Sequence, residues 1–185
     1  SADAGAAVSQ DARKMLLDFP KSRDELFQYD VVIGFDPDWQ RLTADQREML
    51  VEWVERQAGG LIVVAGDVHA TELAESENDL GSLRDLYPVI LQPLLLELQI
   101  DNTSRSQQPW PISFTPAGRE SGALQLTDNP VASAATWKEF PGVYRCYPTN
   151  GKKAGAAVLA YHSNPRMATR QGQPVPLVDL RPTLP

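Results

Sequence analysis

Acidic and imidazole side chains follow two short apolar runs of the sequence, at residues 31–35 and 61–65. If both runs are parallel strands of one open sheet, the residues that follow them meet at the same edge, where such sheets bind ligands. Carboxylates and an imidazole there can hold a divalent metal ion or exchange protons with a substrate. The candidate ligand-binding residues are Asp36, Asp38, Gly66, Asp67 and His69. Asp67 and His69 are also candidate catalytic residues.

A purely structural role for these residues is the competing interpretation. Asp36 would cap a turn and Asp67 would cap the following segment, while Asp38 and His69 would be solvated. Acidic residues are common in loops after strands, so the pattern is not specific. His69 and Glu72 form only a His-x-x-Glu pair, without the second histidine of a zinc motif. The sequence therefore assigns no defined metal site.

Nucleophilic catalysis requires a hydroxyl or thiol on a sharp turn after a strand, with a base nearby. The turn after residues 61–65 places Asp67 or Val68 at that position, and neither has such a group. Cys146 has no glycine pattern of an elbow around it and is expected to be a half-buried apolar residue. His162 follows the last predicted strand and is a further catalytic candidate, as a general base, although no nucleophile can be paired with it. We interpret it as structural.

The first two apolar runs and the segment between them predict a βαβ unit. Thr43 and Gln46 fit a capping box at the start of a helix, whose apolar residues then recur on one face. Gly59 and Gly60 are expected to end that helix, because glycine accepts the left-handed conformation. Residues 61–65 are apolar without alternation, as in a strand covered on both faces. Two strands joined by one helix are expected to be parallel.

The remaining segments predict shorter elements. We expect a helical turn at 82–86, strands at 89–91, 94–100, 112–114 and 154–161, helices at 118–126 and 131–138, a loop at 101–111 and a turn at 149–151. Together with the βαβ unit, they predict an α/β fold with a mainly parallel sheet flanked by helices, a flavodoxin-like three-layer sandwich.

Composition restricts the possible partners. The 185 residues include 17 Lys and Arg against 24 Asp and Glu, for a net charge of −7. Such a chain has no general basic footprint, so nucleic acid and direct membrane insertion are not expected. One cysteine excludes an internal disulfide, and the glycines spell no phosphate-binding loop, so no cofactor is predicted.

The chain is predicted to be a single domain, because no repeat or linker interrupts residues 1–185. The first residues lack the basic and apolar regions of a signal peptide, and residues 172–185 are rich in proline. Residues 1–18 and 172–185 are therefore expected to be peripheral. Both ends fit a domain excised from a longer protein and a complete gene product equally well.

Several segments resemble, in their order, those of the class I glutamine amidotransferase-like superfamily. The matching segments are residues 19–33, 42–46, 51–66, 86–89, 114–119, 137–141 and 154–162. The resemblance covers residues 19–180 and is strongest to amidotransferase-like domains in large bacterial membrane-anchored proteins. It implies the same three-layer fold, other domains of a larger parent protein as partners, and a place in the cell envelope.

The sequence departs from that family at its reactive groups. The resemblance implies a cysteine at the turn after residues 61–65 and a late His-x-Glu pair. Here the turn reads Gly66-Asp67-Val68-His69, and His162-Ser163-Asn164 lacks the glutamate. Without a thiol, no thioester can form from glutamine, so glutaminase activity is not expected.

Two functions remain open from the sequence. The first is a non-catalytic amidotransferase-like module that binds a ligand or a partner at the strand ends. The second is a hydrolase that uses Asp36, Asp67 and His69, with or without a divalent metal ion.

Overall fold

The computed structural model describes residues 18–75, 79–93, 108–144, 146–164 and 175–180. Its helices are α1 (Arg23–Leu26), α2 (Ala44–Arg56), α3 (His69–Ala74), α4 (Gly81–Asp85), α5 (Pro116–Glu120) and α6 (Pro130–Glu139). Its strands are β1 (Val31–Phe35), β2 (Gly60–Val64), β3 (Val89–Leu91), β4 (Ile112–Phe114), β5 (Thr149–Lys152), β6 (Ala157–His162) and β7 (Pro176–Leu180). Among these residues, no helix has the length and apolar character that crossing a membrane would require.

The predicted βαβ unit is confirmed. β1 and β2 are parallel, with Val31 opposite Gly60 and Phe35 opposite Val64. Thr43 Oγ1 accepts from the amide of Gln46 at 3.2 Å, and Gln46 Oε1 accepts from the amide of Thr43 at 3.0 Å. This reciprocal capping box begins α2 where the sequence places it.

The end of α2 differs from the expectation in its mechanism. Ala58, rather than a glycine, takes the left-handed backbone conformation, with φ +55°. Gly59 is required for space instead, because a Cβ atom there would lie 2.1 Å from the Trp53 ring. The backbone that leaves α2 therefore passes directly over the ring of Trp53, and only a residue without a side chain fits at that point.

The prediction of a mainly parallel, flavodoxin-like sandwich is wrong. Among the described strands, only β1 and β2 pair in parallel. β3 pairs with β5, and β6 pairs with β4 and β7, all in antiparallel orientation. The apolar pattern of a strand does not report the direction of its neighbour, so one crossover does not determine the later pairings. The described residues therefore lack the parallel sheet that the family resemblance implies.

Outside the βαβ unit, the short elements are confirmed in part. α4, β3, β4 and α6 lie within one or two residues of the expected positions. The expected helix at 118–126 is wrong: α5 ends at Glu120, and a short 3-10 helix (Gly122–Leu124) follows. The expected turn at 149–151 belongs to β5, where Gly151 has φ +106°. The predicted strand at 94–100 and most of the loop at 101–111 lie outside the described residues.

The main core lies on one face of the β1–β2 pair. Leu50 and Trp53 of α2 pack there with Leu73 of α3 and Leu83 of α4, and all four are fully buried. The opposite face carries exposed apolar side chains, with Ile62 51% and Val64 48% exposed. The expectation that residues 61–65 are covered on both faces is therefore wrong within the described part of the chain, where the helices that pack on this pair occupy one side.

Candidate functional site

Asp36 joins the end of β1 to the segment after β2. Its backbone has φ +41°, and its amide donates to the carbonyl of Val64 at 2.8 Å. Its carboxylate accepts four backbone N–H groups, so this side chain caps the first turn of α3 from a distant part of the chain. The donors are Gly66 at 3.2 Å and Ala70 at 3.1 Å to Oδ1, and Val68 at 3.3 Å and His69 at 3.4 Å to Oδ2.

Gly66 has a steric role in the same junction. A Cβ atom at this position would lie 2.4 Å from both Cγ and Oδ2 of Asp36. Only glycine therefore lets the backbone after β2 approach the carboxylate closely enough to donate to it. Gly66, one of the predicted ligand-binding residues, therefore contacts Asp36 and has no side chain that could bind a ligand.

Asp38 is held in place by the 3-10 helix that follows it (Trp39–Arg41). Its Oδ1 accepts from the amide of Gln40 at 3.1 Å and caps this turn. Trp39 is buried and its Nε1 donates to the Tyr87 hydroxyl at 2.8 Å, which anchors the turn in the core. The capped and anchored turn leaves Asp38 Oδ1 4.0 Å from His69 Nδ1.

His69 and Glu72 lie one turn apart on α3. His69 Nδ1 is 2.9 Å from Glu72 Oε2, and the imidazole side chain is 30% exposed. The hydrogen bond to Glu72 raises the pKa of His69, and the charges of Asp38, Glu72 and Asp36 act in the same direction, against partial burial. Ligand atoms of Asp38, His69 and Glu72 all lie within 4.8 Å of one another.

Glu72 is the residue of this cluster that is absent from the predicted ligand-binding residues, because the sequence shows it only in a His-x-x-Glu pair. The signal was present as the His-x-x-Glu spacing, because residues three apart on a helix share a face. The structure brings Asp38 and His69 to 4.0 Å from each other, and the third group comes from the helix rather than from the strand ends.

Asp67 contributes no atom to this three-residue cluster. Its carbonyl accepts from Thr71 Oγ1 at 2.9 Å, and Thr71 Oγ1 in turn lies 3.4 Å from the Tyr147 hydroxyl. Burial raises the pKa of Tyr147, and the charges of Asp36 and Asp67 raise it further. The charge of Asp67 therefore acts on the pKa of Tyr147 and not on that of His69.

His162 belongs to a different part of the fold. It ends β6, is 1% exposed, and its Nδ1 accepts from the amide of Asn164 at 3.3 Å. Burial lowers its pKa, against the effect of the backbone of Val143. The structure places it in the β4–β6–β7 sheet, outside the Asp38, His69 and Glu72 cluster.

Cys146 is half-buried, and burial raises the pKa of its thiol to about 12. The thiolate is the nucleophilic form of cysteine, so this side chain is protonated and unreactive at neutral pH. The structural position agrees with the expectation of an apolar role.

One imidazole and two carboxylates form a donor set for first-row transition metals. Imidazole suits zinc, cobalt, iron and nickel, whereas magnesium and calcium prefer oxygen alone. Three protein ligands on a half-exposed surface leave coordination positions for water or a small ligand. A scan against protein-family models and searches of curated proteins and of solved structures found no significant match to this chain.

Proposed function

We propose that this chain is a non-catalytic binding module whose ligand is a divalent transition-metal ion held by Asp38, His69 and Glu72. The observation that carries the proposal is the convergence of three ligand atoms within 4.8 Å of one another. These residues come from two segments, which follow the neighbouring strands β1 and β2. The module would use the edge at which the sequence predicts ligand binding.

The distances suit metal coordination after small side-chain rotations. Ligand atoms about 2.1 Å from a metal ion lie roughly 3.0–3.4 Å from one another. His69 Nδ1 is already 2.9 Å from Glu72 Oε2 and 4.0 Å from Asp38 Oδ1. Closing the gap between Asp38 Oδ1 and His69 Nδ1 requires about 0.6–1.0 Å of movement. Asp38 Oδ1 has lone pairs beyond the one that caps its turn.

A proton on His69 is the alternative occupant of this cluster. The protonated imidazole would donate a hydrogen bond from Nδ1 to the Glu72 carboxylate, and the two residues would form an ordinary ion pair on the helix. The metal proposal therefore needs a test in which loss of the imidazole and loss of each carboxylate can be separated from a general change in charge.

Isothermal titration of the metal-free protein with zinc chloride at pH 7.5 provides that test. We expect one site in the wild type, a loss of at least about tenfold in affinity in Asp38→Asn and Glu72→Gln, and no measurable site in His69→Ala. The matched control is Glu75→Gln, which removes the same charge one residue beyond α3. Equal affinity in the wild type and His69→Ala, or equal losses in the control, would overturn the proposal.

The open coordination positions favour a second candidate, a metal-dependent hydrolase. A bound metal ion could activate a water molecule there. The Asp36 carboxylate, which the sequence offered as part of such a hydrolase, instead accepts four backbone N–H groups. Hydrolysis of p-nitrophenyl acetate by the zinc-loaded wild type, absent from His69→Ala, would favour this candidate over the non-catalytic module.

A further inference from the structure

We infer that Asp36 is the positioning residue of the proposed metal site, because its carboxylate fastens the turn that carries His69 and Glu72 to the strand end that leads to Asp38. The inference rests on the proposed function and names the group that would make the site rigid. It assigns Asp36 no contact with the metal ion.

The helix α3 lacks a cap of its own. It has six residues, and the N-cap residue, Val68, has no side-chain hydrogen bond to the helix. The first N–H groups of a helix have no partner inside it and need one elsewhere. Asp36 supplies that partner from more than thirty residues away in the sequence, to Val68, His69 and Ala70.

The same carboxylate connects the two segments of the site. Asp36 lies two residues before Asp38 on one side, and it accepts from the His69 amide on the other. Its amide also continues the β1–β2 ladder through the carbonyl of Val64. A shift of this carboxylate would therefore move the segment that carries Asp38 relative to the helix that carries His69 and Glu72.

The backbone at Asp36 indicates that this position is tightly constrained. A positive φ of +41° is uncommon outside glycine, although aspartate tolerates it better than most residues. Such a conformation persists where surrounding contacts hold it. Here the contacts are the ladder bond to Val64 and the four N–H groups at the carboxylate.

Gly66 offers a second, independent way to disturb the contact. A Cβ atom at this position would collide with Cγ of Asp36. Gly66→Ala would therefore displace the carboxylate while leaving Asp36 and all three metal ligands chemically intact. Agreement between a change at Asp36 and a change at Gly66 would identify the contact itself as the cause.

Cobalt chloride titration of the metal-free protein tests the inference, with the visible d–d absorption of bound cobalt as the readout. Asp36→Gly removes the carboxylate and tolerates the positive φ. Asp36→Asn keeps one acceptor oxygen. We expect at least about a tenfold loss of cobalt affinity and an altered absorption band in Asp36→Gly and Gly66→Ala, and a smaller loss in Asp36→Asn.

The control for a merely structural role is Thr43→Ala. It removes a helix cap of the same kind from α2, which carries none of the three ligands. We expect it to lower the melting temperature without changing cobalt affinity or the absorption band in the folded protein. Amide hydrogen exchange in the metal-free state should accelerate at residues 68–70 in Asp36→Gly and stay unchanged there in Thr43→Ala.

Failures of the two proposals are distinguishable. If the wild type binds cobalt and folded Asp36→Gly binds it with equal affinity and the same spectrum, the positioning role is overturned and the metal module stands. If the wild type itself binds no cobalt, the proposed function fails and the positioning role fails with it. If Thr43→Ala loses cobalt binding as Asp36→Gly does, general stability explains the effect and the positioning role is again overturned.

Discussion

At the level of single residues, the proposed site depends on competition between a proton and a metal ion at His69. The imidazole must be neutral to coordinate a metal ion, while Glu72 and Asp38 raise its pKa and so favour the proton. The two carboxylates that would help to hold the metal ion therefore also favour protonation of His69, and so weaken metal binding at low pH.

We expect metal affinity to fall as the pH decreases through the raised pKa of His69. Below that pKa the loss should approach about tenfold per pH unit, because one proton must leave for each metal ion bound. Zinc titrations between pH 5.5 and 8.5 measure this dependence. An affinity that stays constant over the whole range would show that the imidazole is not a ligand.

His162 should make stability depend on pH in the opposite direction to His69. Its pKa is lowered in the folded state, so the unfolded chain binds more protons between that lowered pKa and the ordinary value of about 6.5. The stability associated with a neutral His162 is therefore complete above about pH 6.5 and is lost as the pH falls through the window below it.

Urea unfolding of the wild type and His162→Gln from pH 5 to 8 checks this expectation. Glutamine keeps an acceptor for the amide of Asn164 but does not titrate in this range. The difference in free energy of unfolding should become less favourable to the wild type as the pH falls. A difference that is flat with pH would contradict a neutral buried imidazole.

Cys146 should be nearly inert in the folded protein. With a pKa of about 12, the thiolate makes up roughly one part in ten thousand at pH 8. We expect reaction with iodoacetamide at pH 8 to be at least about a hundredfold slower in the native protein than in urea, and Cys146→Ser to retain the fold and zinc binding. Rapid native labelling would indicate an activated thiol instead.

At the level of elements, α5 depends on one glycine where it crosses β6. Thr115 caps this helix and also donates through Oγ1 to the carbonyl of Val158 at 2.8 Å. A Cβ atom at Gly118 would lie 1.9 Å from the carbonyl oxygen of Leu159. The helix and the strand backbone are therefore in direct contact, with no room for a side chain between them.

We expect Gly118→Ala to destabilise the protein by about 2 kcal/mol or more, since overpacking against rigid backbone typically costs 1–3 kcal/mol. The expected decrease in melting temperature is about 4 °C or more for a chain of this size. A matched control is Gly122→Ala, where no atom lies within 4 Å of the added Cβ. Equal melting temperatures for both variants would contradict the close packing of α5 on β6.

At the level of the whole molecule, the face of the β1–β2 pair opposite the core is apolar and exposed. Val31, Ile33 and Phe35 are 48%, 55% and 75% exposed, and they stand beside Ile62 and Val64. Parallel strands are normally covered on both faces, and contiguous exposed apolar patches favour association. Their exposure follows from the burial of alternate residues, with Val32, Leu61 and Val63 packed toward the core.

We expect Ile33→Thr to change the free energy of unfolding by no more than about 1 kcal/mol, because the side chain is exposed and threonine keeps the β-branched shape. It should lower fluorescence of the dye ANS bound to the native protein and reduce self-association in sedimentation velocity. Val32→Thr, on the buried side of the same strand, should destabilise the protein more. Unchanged dye binding in Ile33→Thr would show that this face is covered.

Local features of this protein follow directly from its sequence. The capping box of Thr43 and Gln46 and the helix–strand boundary near Gly59 involve residues only a few positions apart. Strand β1 and the start of α6 are likewise marked by short-range signals, which are β-branched residues and a capping Asn129 before Pro130. Such interactions form within one turn or one strand, so the order of nearby residues specifies them.

Strand direction and the partners of the site residues depend on contacts between distant segments. Apolar runs such as β4 and β6 pair through their backbones, and backbone hydrogen bonding permits either direction. Asp36 receives its four donors only when β1 and β2 are aligned in register. The amino-acid order predicts Asp38 and His69 at one sheet edge, and it determines the His69–Glu72 pair, because residues three apart share a face of a helix. Three-dimensional packing gave Asp36 its capping role and set the 4.0 Å separation of Asp38 from the imidazole, because these contacts require segments about thirty residues apart to meet.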